Sequence, residues 1–271
     1  MEEADKPTII VAGNCQGRVI YECLNESPEV TDAYRLVYFR NFRKGDQGAI
    51  QPEDLAKCAV LLEQIAHQAP ELPGKETLPA GCRVIRFPIL WLNSLWPMAA
   101  DDPRNKNAAE PAAGQYPYGD RLVLKLLKLD PDPVKAALRW RKTDLGEKVD
   151  LDRFHEINVA KCLDLDTRAE LKLGVYVIEN FRKKRLFVTR NHPSLEMMRY
   201  VRDLIFAELG IAPSESDLVA ASRGLGDIHV PVHPSVARHF KLEWWSPEIE
   251  YRHYDNAYRM EEFIRRLAAF E

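Results

Sequence analysis

A β-rich apolar run, TIIVA at 8–12, passes through GNCQGR directly into the amphipathic stretch VIYECLNESP, and this strand-turn-helix unit is the feature that most constrains the fold. Three further strand-length runs follow at spacings that leave room for helices: YRLVYF at 34–39, CAVLLEQ at 58–64 and CRVIRFPIL at 82–90, which ends at Pro88. CAVLLEQ is apolar on both faces, as a strand covered from both sides must be. Strands alternating with helices predict an α/β fold, with a small parallel sheet and flanking helices in the N-terminal part.

From about residue 95 the texture changes. MAADDPRNKNAAEPAAGQYPYG has no periodicity and reads as a long loop, of the kind that is often functional. Residues 120–145 and 152–185 return to helical spacing, with Leu163, Leu171, Val175, Ile178 and Phe181 forming an apolar stripe. TRNHPSLEMMRYVRDLIFAELG reads as a helix with Pro193 in its first turn and Gly210 at its stop, and MEEFIRRLAAF as a last amphipathic helix. The expected organisation is an α/β nucleophile-bearing domain over 1–96, a long active-site loop over 97–119 and a mainly helical domain over 120–271.

Apolar residues make up 46% of the 271, enough for a real core, and the net charge of −3 offers no bulk attraction to nucleic acid or to an anionic membrane. MEEADKPT lacks the basic start and apolar run of a signal peptide, and no stretch approaches the ~20 apolar residues of a membrane span. A cytoplasmic protein without nucleic-acid partner or membrane span is expected. The five cysteines are widely spaced with no C-x-x-C pair, and the seven histidines form no H-E-x-x-H pattern, so neither structural disulfides nor a metal site is expected.

Open α/β sheets place ligands at the carboxyl ends of their strands, where helix N-termini present N–H groups and partial positive charge. Cys15 sits there. A helix N-terminus stabilises a thiolate, which makes Cys15 a candidate nucleophile with a lowered pKa, and Gly13 and Gly17 would permit the tight turn and close approach of a ligand. The competing reading is a small buried cysteine, which is the better account of Cys23, Cys58 and Cys82 in their apolar segments. GNCQGR lacks the second glycine of a dinucleotide fingerprint, and Cys15-x-x-Arg18 is too short for a phosphatase loop.

His192, with Arg190 and Asn191 beside it, lies at or just before a helix start and is a candidate general base, unless it or Asn191 simply caps that helix. His67, beyond the 58–64 strand, is a rival base on the strand end next to Cys15. Asp120 in YPYGD would either orient a histidine or cap a helix. Arg18, Arg40, Arg43 and Lys44 are candidates to meet phosphates, with the 182–185 basic run as a second choice.

The segments IIVAGNCQGR, LLEQIAHQ, FPILWLNSLWP, YPYGD and LFVTRNHPS, in order over roughly 8–210, resemble the WcbI-type polysaccharide biosynthesis proteins, a family linked to bacterial capsule pathways as coenzyme A-binding acetyltransferases. The resemblance implies a coenzyme A or acetyl-coenzyme A site and O-acetylation of a sugar, with Cys15 and His192 on the family's cysteine and histidine motifs. The placement of GNCQ is also similar to the nucleophile block of SGNH hydrolases, although no Asp-x-x-His pattern follows near the C-terminus. On this reading Cys15, His192 and Asp120 are catalytic, with backbone N–H groups of Cys15 and Gln16 as the oxyanion hole. Gly13, Asn14, Gln16, Gly17, Arg18, Arg40, Arg43 and Lys44 would hold the cofactor. Gln64, His67, Asn93, Tyr118, Arg190 and Asn191 would face a sugar or nucleotide-sugar acceptor, with Tyr116 and Tyr118 on a lid. Association with polysaccharide assembly enzymes is a further expectation. The alternatives are a thioesterase or carbohydrate esterase with the same cysteine, and a non-catalytic coenzyme A-binding scaffold protein in which Cys15 is inert.

Overall fold

The computed structural model describes residues 6–41, 50–68, 70–106, 111, 114–213, 218 and 225–270. The chain divides into two compact units, each drawn from three stretches. Met1–Leu90, Val159–Glu179 and Pro193–Leu225 make the first; Trp91–Asn158, Asn180–His192 and Gly226–Glu271 make the second.

In the first unit β1 (Thr8–Gly13), β2 (Arg35–Arg40), β3 (Cys58–Ile65) and β4 (Arg83–Pro88) form one parallel sheet in the order β2-β1-β3-β4. The parallel sheet and flanking helices predicted from the strand spacing are therefore present. Every residue of β1 is buried, as its unbroken apolar run requires, while the outer strands β2 and β4 carry Arg35, Arg40, Arg83 and Arg86, whose charge discourages edge pairing. Alternate residues of β1 serve opposite faces. Ile10 and Ala12 join Phe39, Leu55, Leu61 and Leu72 in one buried cluster, which leaves the equally buried Ile9 and Val11 to the other face.

Helix α1 (Cys15–Asn25) follows β1 with only Asn14 between them and packs on β1 and β2. So abrupt a reversal needs close backbone approach. A Cβ on Gly13 would lie 2.9 Å from Gly17 Cα and 3.1 Å from Gln64 Oε1, whereas one on Gly17 would meet only Gln64 Oε1 at 3.6 Å. Neither glycine has positive φ, so it is space and not backbone freedom that Gly13 supplies. Gly13→Ala is expected to lower the unfolding free energy by about 1–3 kcal/mol, the usual cost of overpacking. Gly17→Ala should be neutral or slightly stabilising, since alanine is the better helix former. Urea midpoints of the two variants check this.

The remaining helices of the α/β half are α2 (Pro28–Ala33) and α3 (Pro52–Ala56). The C-terminal half is mainly helical, as expected, with α4 (Arg121–Leu129), α5 (Pro133–Lys142), α6 (Leu151–Thr167), α7 (Leu173–Asn180), α8 (Leu195–Leu209), α9 (Pro234–Phe240) and α10 (Met260–Ala269). Leu171 and Phe181 of the predicted stripe are buried, but Leu163 and Val175 are exposed, because residues 168–172 interrupt the helix and reset its phase. Gly210 ends α8 in the left-handed conformation, as its position suggested. Pro193 does not enter that helix; Ser194 caps it.

In the second unit the two-stranded pair β5 (Ala99–Ala100) and β6 (Gly119–Asp120) ties together the ends of the segment read as a loop. Tyr116 of that segment is buried, stacked on His253 at 4.4 Å and packed against Phe263 and Phe270, so it belongs to a core and not to a lid. Arg104, held by Asp102 at 2.7 Å, donates to the carbonyls of Leu267, Ala268 and Phe270 and thus caps the carboxyl end of α10. A hairpin, β7 (Glu250–His253) with β8 (Asn256–Arg259), was not signalled by the sequence: its turn uses Tyr254 at positive φ where an Asn-Gly pair would have marked it. Among the described residues no helix is long and apolar enough to cross a membrane.

Candidate active site

The order β2-β1-β3-β4 makes the carboxyl ends of β1 and β3 a topological switch point, where chain connections leave adjacent strands in opposite directions and open a crevice. Cys15 is the first residue of α1 at that edge and is solvent-exposed, whereas Cys23, Cys58 and Cys162 are buried. The distinction drawn between Cys15 and the apolar-segment cysteines thus holds for Cys23 and Cys58, while Cys82 is only half-buried.

A network of buried amides builds the turn. Asn14 caps α1, its Oδ1 accepting from Gln16 N–H at 2.8 Å, and its own N–H donates to Gln64 Oε1 at 2.9 Å. Gln64 Nε2 donates to Gln16 Oε1 at 3.0 Å, and the Gln16 amide is also paired with both backbone groups of Leu90. These side chains are 2–6% exposed. Asn14, Gln16 and Gln64, expected to face cofactor or substrate, are therefore committed to one another and position the turn. Of the expected oxyanion pair, the Gln16 N–H is already bound to Asn14 Oδ1; the first-turn N–H groups on either side of it belong to Cys15 and Gly17.

Two residues the sequence reading passed over complete the turn. Tyr38 Oη donates to the carbonyls of Gly13 and Asn14, each at 2.9 Å, and burial pushes this phenol up to about 12. Asn41 donates from its backbone to Gly13 O and from its side chain to Gln64 O. The available signal was their place at and just past the end of β2, next to β1. Beside Gln64, a cavity of about 340 Å³ is lined by Ala12, Asn41, Glu63, Lys75 and Arg86 among others, and Glu63 pairs with Lys75 at 2.5 Å and with Arg86 at 3.2 Å.

The Cys15 thiol does not have the lowered pKa expected of a helix N-terminus. Although the residue is exposed, the surrounding protein desolvates its thiol, and this pushes it above its ordinary value. The N–H groups of Gln16 and Cys15 and the charge of Arg40 pull the other way without prevailing. Arg40 closes β2 directly opposite Gly13, which places it at this edge of the sheet. Arg18 is exposed and pairs with Glu22 at 2.6 Å. Arg43 and Lys44 lie outside the described residues. His67, exposed just past β3, is 3.5 Å from Asp164 and 3.4 Å from Arg168.

The other predicted residues lie in the second unit. Tyr118 Oη stands 3.2 Å from Nδ1 and 3.1 Å from Nε2 of half-buried His192, on the ring edge that carries both nitrogens. Since Ser194 caps α8, neither His192 nor Asn191 is a cap; His192 N–H donates to Thr189 Oγ1 at 3.0 Å, and Thr189 also bonds Asn191 Oδ1. Arg190 is 3.8 Å from Asp101, and Asn93 opens a short turn whose carbonyl accepts from Trp96 N–H. Tyr118, Asp120 and Arg190 line a tight pocket with Trp96, Trp140 and His233.

Asp120 is a cap. One oxygen accepts from Val123 N–H at 3.0 Å and the other from Trp140 Nε1 at 3.1 Å, which uses the carboxylate structurally instead of in orienting a histidine. Burial pushes its carboxyl up to about 6 against the pull of these donors. With a folded-state value above the unfolded one, its contribution to stability is full below about pH 4 and is lost as pH rises through about 6. Wild type should therefore lose more stability between pH 4 and 7 than Asp120→Asn, by about 2 kcal/mol, while Asp120→Ala should cost about 2–3 kcal/mol by removing the cap and stranding the indole N–H. Urea unfolding of the three proteins at both pH values is the check. Among the described residues no cluster of His, Cys, Asp or Glu is arranged to hold a metal.

Comparison with known proteins gives a family and a fold. A solved structure of WcbI, described as a novel polysaccharide biosynthesis enzyme, as native protein without a disulfide bond between coenzyme A and one of its cysteines, matches with a TM-score of 0.62 at 18% identity. The match covers 98% of this chain and 90% of that one. No curated protein matches. The family model for polysaccharide biosynthesis enzyme WcbI matches residues 8–214, a span that takes in the Cys15 turn, YPYGD and TRNHPS. With three quarters of its length and each of those segments inside the match, the chain belongs to the WcbI family of polysaccharide biosynthesis enzymes.

Proposed function

We propose that this protein transfers acetyl from acetyl-coenzyme A to a sugar hydroxyl in capsular polysaccharide biosynthesis, with Cys15 at the reacting thioester. The observation that carries the reading is the exposed Cys15 thiol on the first residue of α1, at the switch point of a parallel sheet. Family membership and the coenzyme A named for the WcbI structure support it. The N–H groups of Cys15 and Gly17 serve the developing oxyanion, and Arg40 meets a phosphate of the cofactor. Because burial raises the thiol, an acyl-cysteine forms if the base takes the Cys15 proton; if the base activates the sugar hydroxyl instead, the protonated thiol only binds the thioester. His67 and His192 are the two candidate bases. The acceptor is a sugar or nucleotide sugar, and the reaction belongs in the cytoplasm, where acetyl-coenzyme A is available, beside other polysaccharide assembly enzymes.

The same raised thiol also favours a second reading, a coenzyme A-binding module in which Cys15 does no chemistry. Ligand binding comes first in either case. Coenzyme A and acetyl-coenzyme A should raise the melting temperature, adding about 2.7 kcal/mol of apparent stability at a hundredfold excess over Kd, and NAD should not. Arg40→Gln should weaken coenzyme A binding by about 1.5–3 kcal/mol, the scale of a charged hydrogen bond. If Arg40 holds the 3′-phosphate, dephospho-coenzyme A should bind wild type and Arg40→Gln alike. A response to NAD alone would remove the cofactor assignment; hydrolysis of acetyl-coenzyme A to acetate without transfer to a sugar would favour the esterase reading, and an intact thioester the binding module.

A further inference from the structure

Cys58 opens β3 and Cys82 immediately precedes β4, and because these strands are adjacent and parallel, with Val60 paired to Arg83, both cysteines lie at the amino-terminal edge of the sheet. Cys15 is at the opposite edge. The two sulfurs are 3.5 Å apart, with the Cys82 thiol donating to Cys58 Sγ, and Cys58 also reaches Val60 O at 3.4 Å. The pair differs in access: Cys58 is 2% exposed, while Cys82 is half-buried and touches solvent. The proposed function uses neither residue, and small buried cysteines need no such pairing to pack.

We propose that Cys58 and Cys82 form a second thiol site, a dithiol that low-molecular-weight disulfides oxidise to an intramolecular Cys58–Cys82 disulfide. Cys82, the accessible partner, loses its proton to solvent and attacks the small disulfide, RSSR. A Cys82–SR bond forms and RS⁻ leaves, to be protonated. Cys58 then gives up its proton and attacks Cys82 Sγ; the protein disulfide forms and the second RS⁻ departs as RSH. Two protein thiols are oxidised by two electrons, and RSSR is reduced to two RSH. Burial and the neighbouring Cys82 push the Cys58 thiol up, and with Cys58 only 2% exposed it is Cys82 that a small disulfide reaches first. The bond staples β3 to β4 around residues 59–81, and restricting a loop of that length in the unfolded chain should raise Tm by about 5–10 °C.

The test takes the full-length reduced protein through hours of incubation with oxidised glutathione at pH 8.5, then alkylation and trypsin digestion. Cleavage after Lys57, Lys75 and Arg83 places Cys58 in peptide 58–75 and Cys82 in peptide 76–83. The expected result is these two peptides joined with the loss of two hydrogens, together with the rise in Tm, both reversed by dithiothreitol. In Cys58→Ser, glutathione should remain on Cys82 as a stable mixed disulfide. The proposal is overturned if both cysteines are recovered alkylated from wild type after Cys15 has taken up glutathione, or if glutathione stays on Cys82 in wild type without the linked peptides. The wild-type peptide map decides by itself should the serine variant fail to fold.

Discussion

Cys15→Ala is expected to lower acetyl transfer by about 10²–10⁴-fold while leaving the fold intact and the stabilisation by coenzyme A in place. The fold should survive because the Cys15 side chain is exposed, and the amides of Asn14, Gln16 and Gln64 that hold the turn do not depend on its sulfur. The pH dependence carries its own sign. Desolvation places the thiol above its ordinary value, so at neutral pH Cys15 is protonated, and its alkylation by iodoacetamide should keep accelerating as pH rises past 9 instead of levelling off below it. If transfer passes through an acyl-cysteine, wild type given acetyl-coenzyme A without acceptor should carry one acetyl group on the peptide that contains Cys15. Full transfer activity in Cys15→Ala would remove the cysteine from the chemistry and leave the binding module as the reading.

The second large effect is expected at one histidine. Loss of the general base should cost about 10²–10⁴-fold in rate, and His67→Ala and His192→Ala divide that outcome between them. His67 belongs to the same unit as Cys15, just past the strand beside β1, and its ring is engaged with Asp164 and Arg168. His192 belongs to the other unit and has Tyr118 at hydrogen-bond distance. We expect His192→Ala to show the loss. Combined with Cys15→Ala, loss of the true base should be hardly worse than the poorer single variant, since groups that act as one unit are not additive. If His67→Ala abolishes transfer and His192→Ala does not, the base is at the edge of the sheet.

Local signals were legible in the chain where one segment decided its own structure. TIIVA announces a strand by its β-rich apolar run, CAVLLEQ a strand covered on both faces, Gly210 a helix stop and Asp120 a candidate cap before α4. The hairpin at 250–259 escaped because a non-glycine residue holds its left-handed turn, and a sequence gives little warning of a strain that surrounding contacts hold in place. Tyr116 was misread as part of a lid for a similar reason: its partners His253, Phe263 and Phe270 are more than a hundred residues away.

The sequence by itself determined the parallel α/β sheet, the helical texture of the second half and the singling out of Cys15 at a strand-to-helix turn, all of which follow from short-range periodicity and turn chemistry. Only the tertiary structure decided which polar groups near Cys15 are already paired within the protein. Asn14, Gln16 and Gln64 look alike in sequence as candidates for a binding site, but the strand register brings Gln64 against the turn, and their buried amides must satisfy one another. The same crowding raises the Cys15 thiol where the helix N-terminus alone would lower it, because desolvation depends on every neighbour in space and the helix contribution only on the adjacent turn.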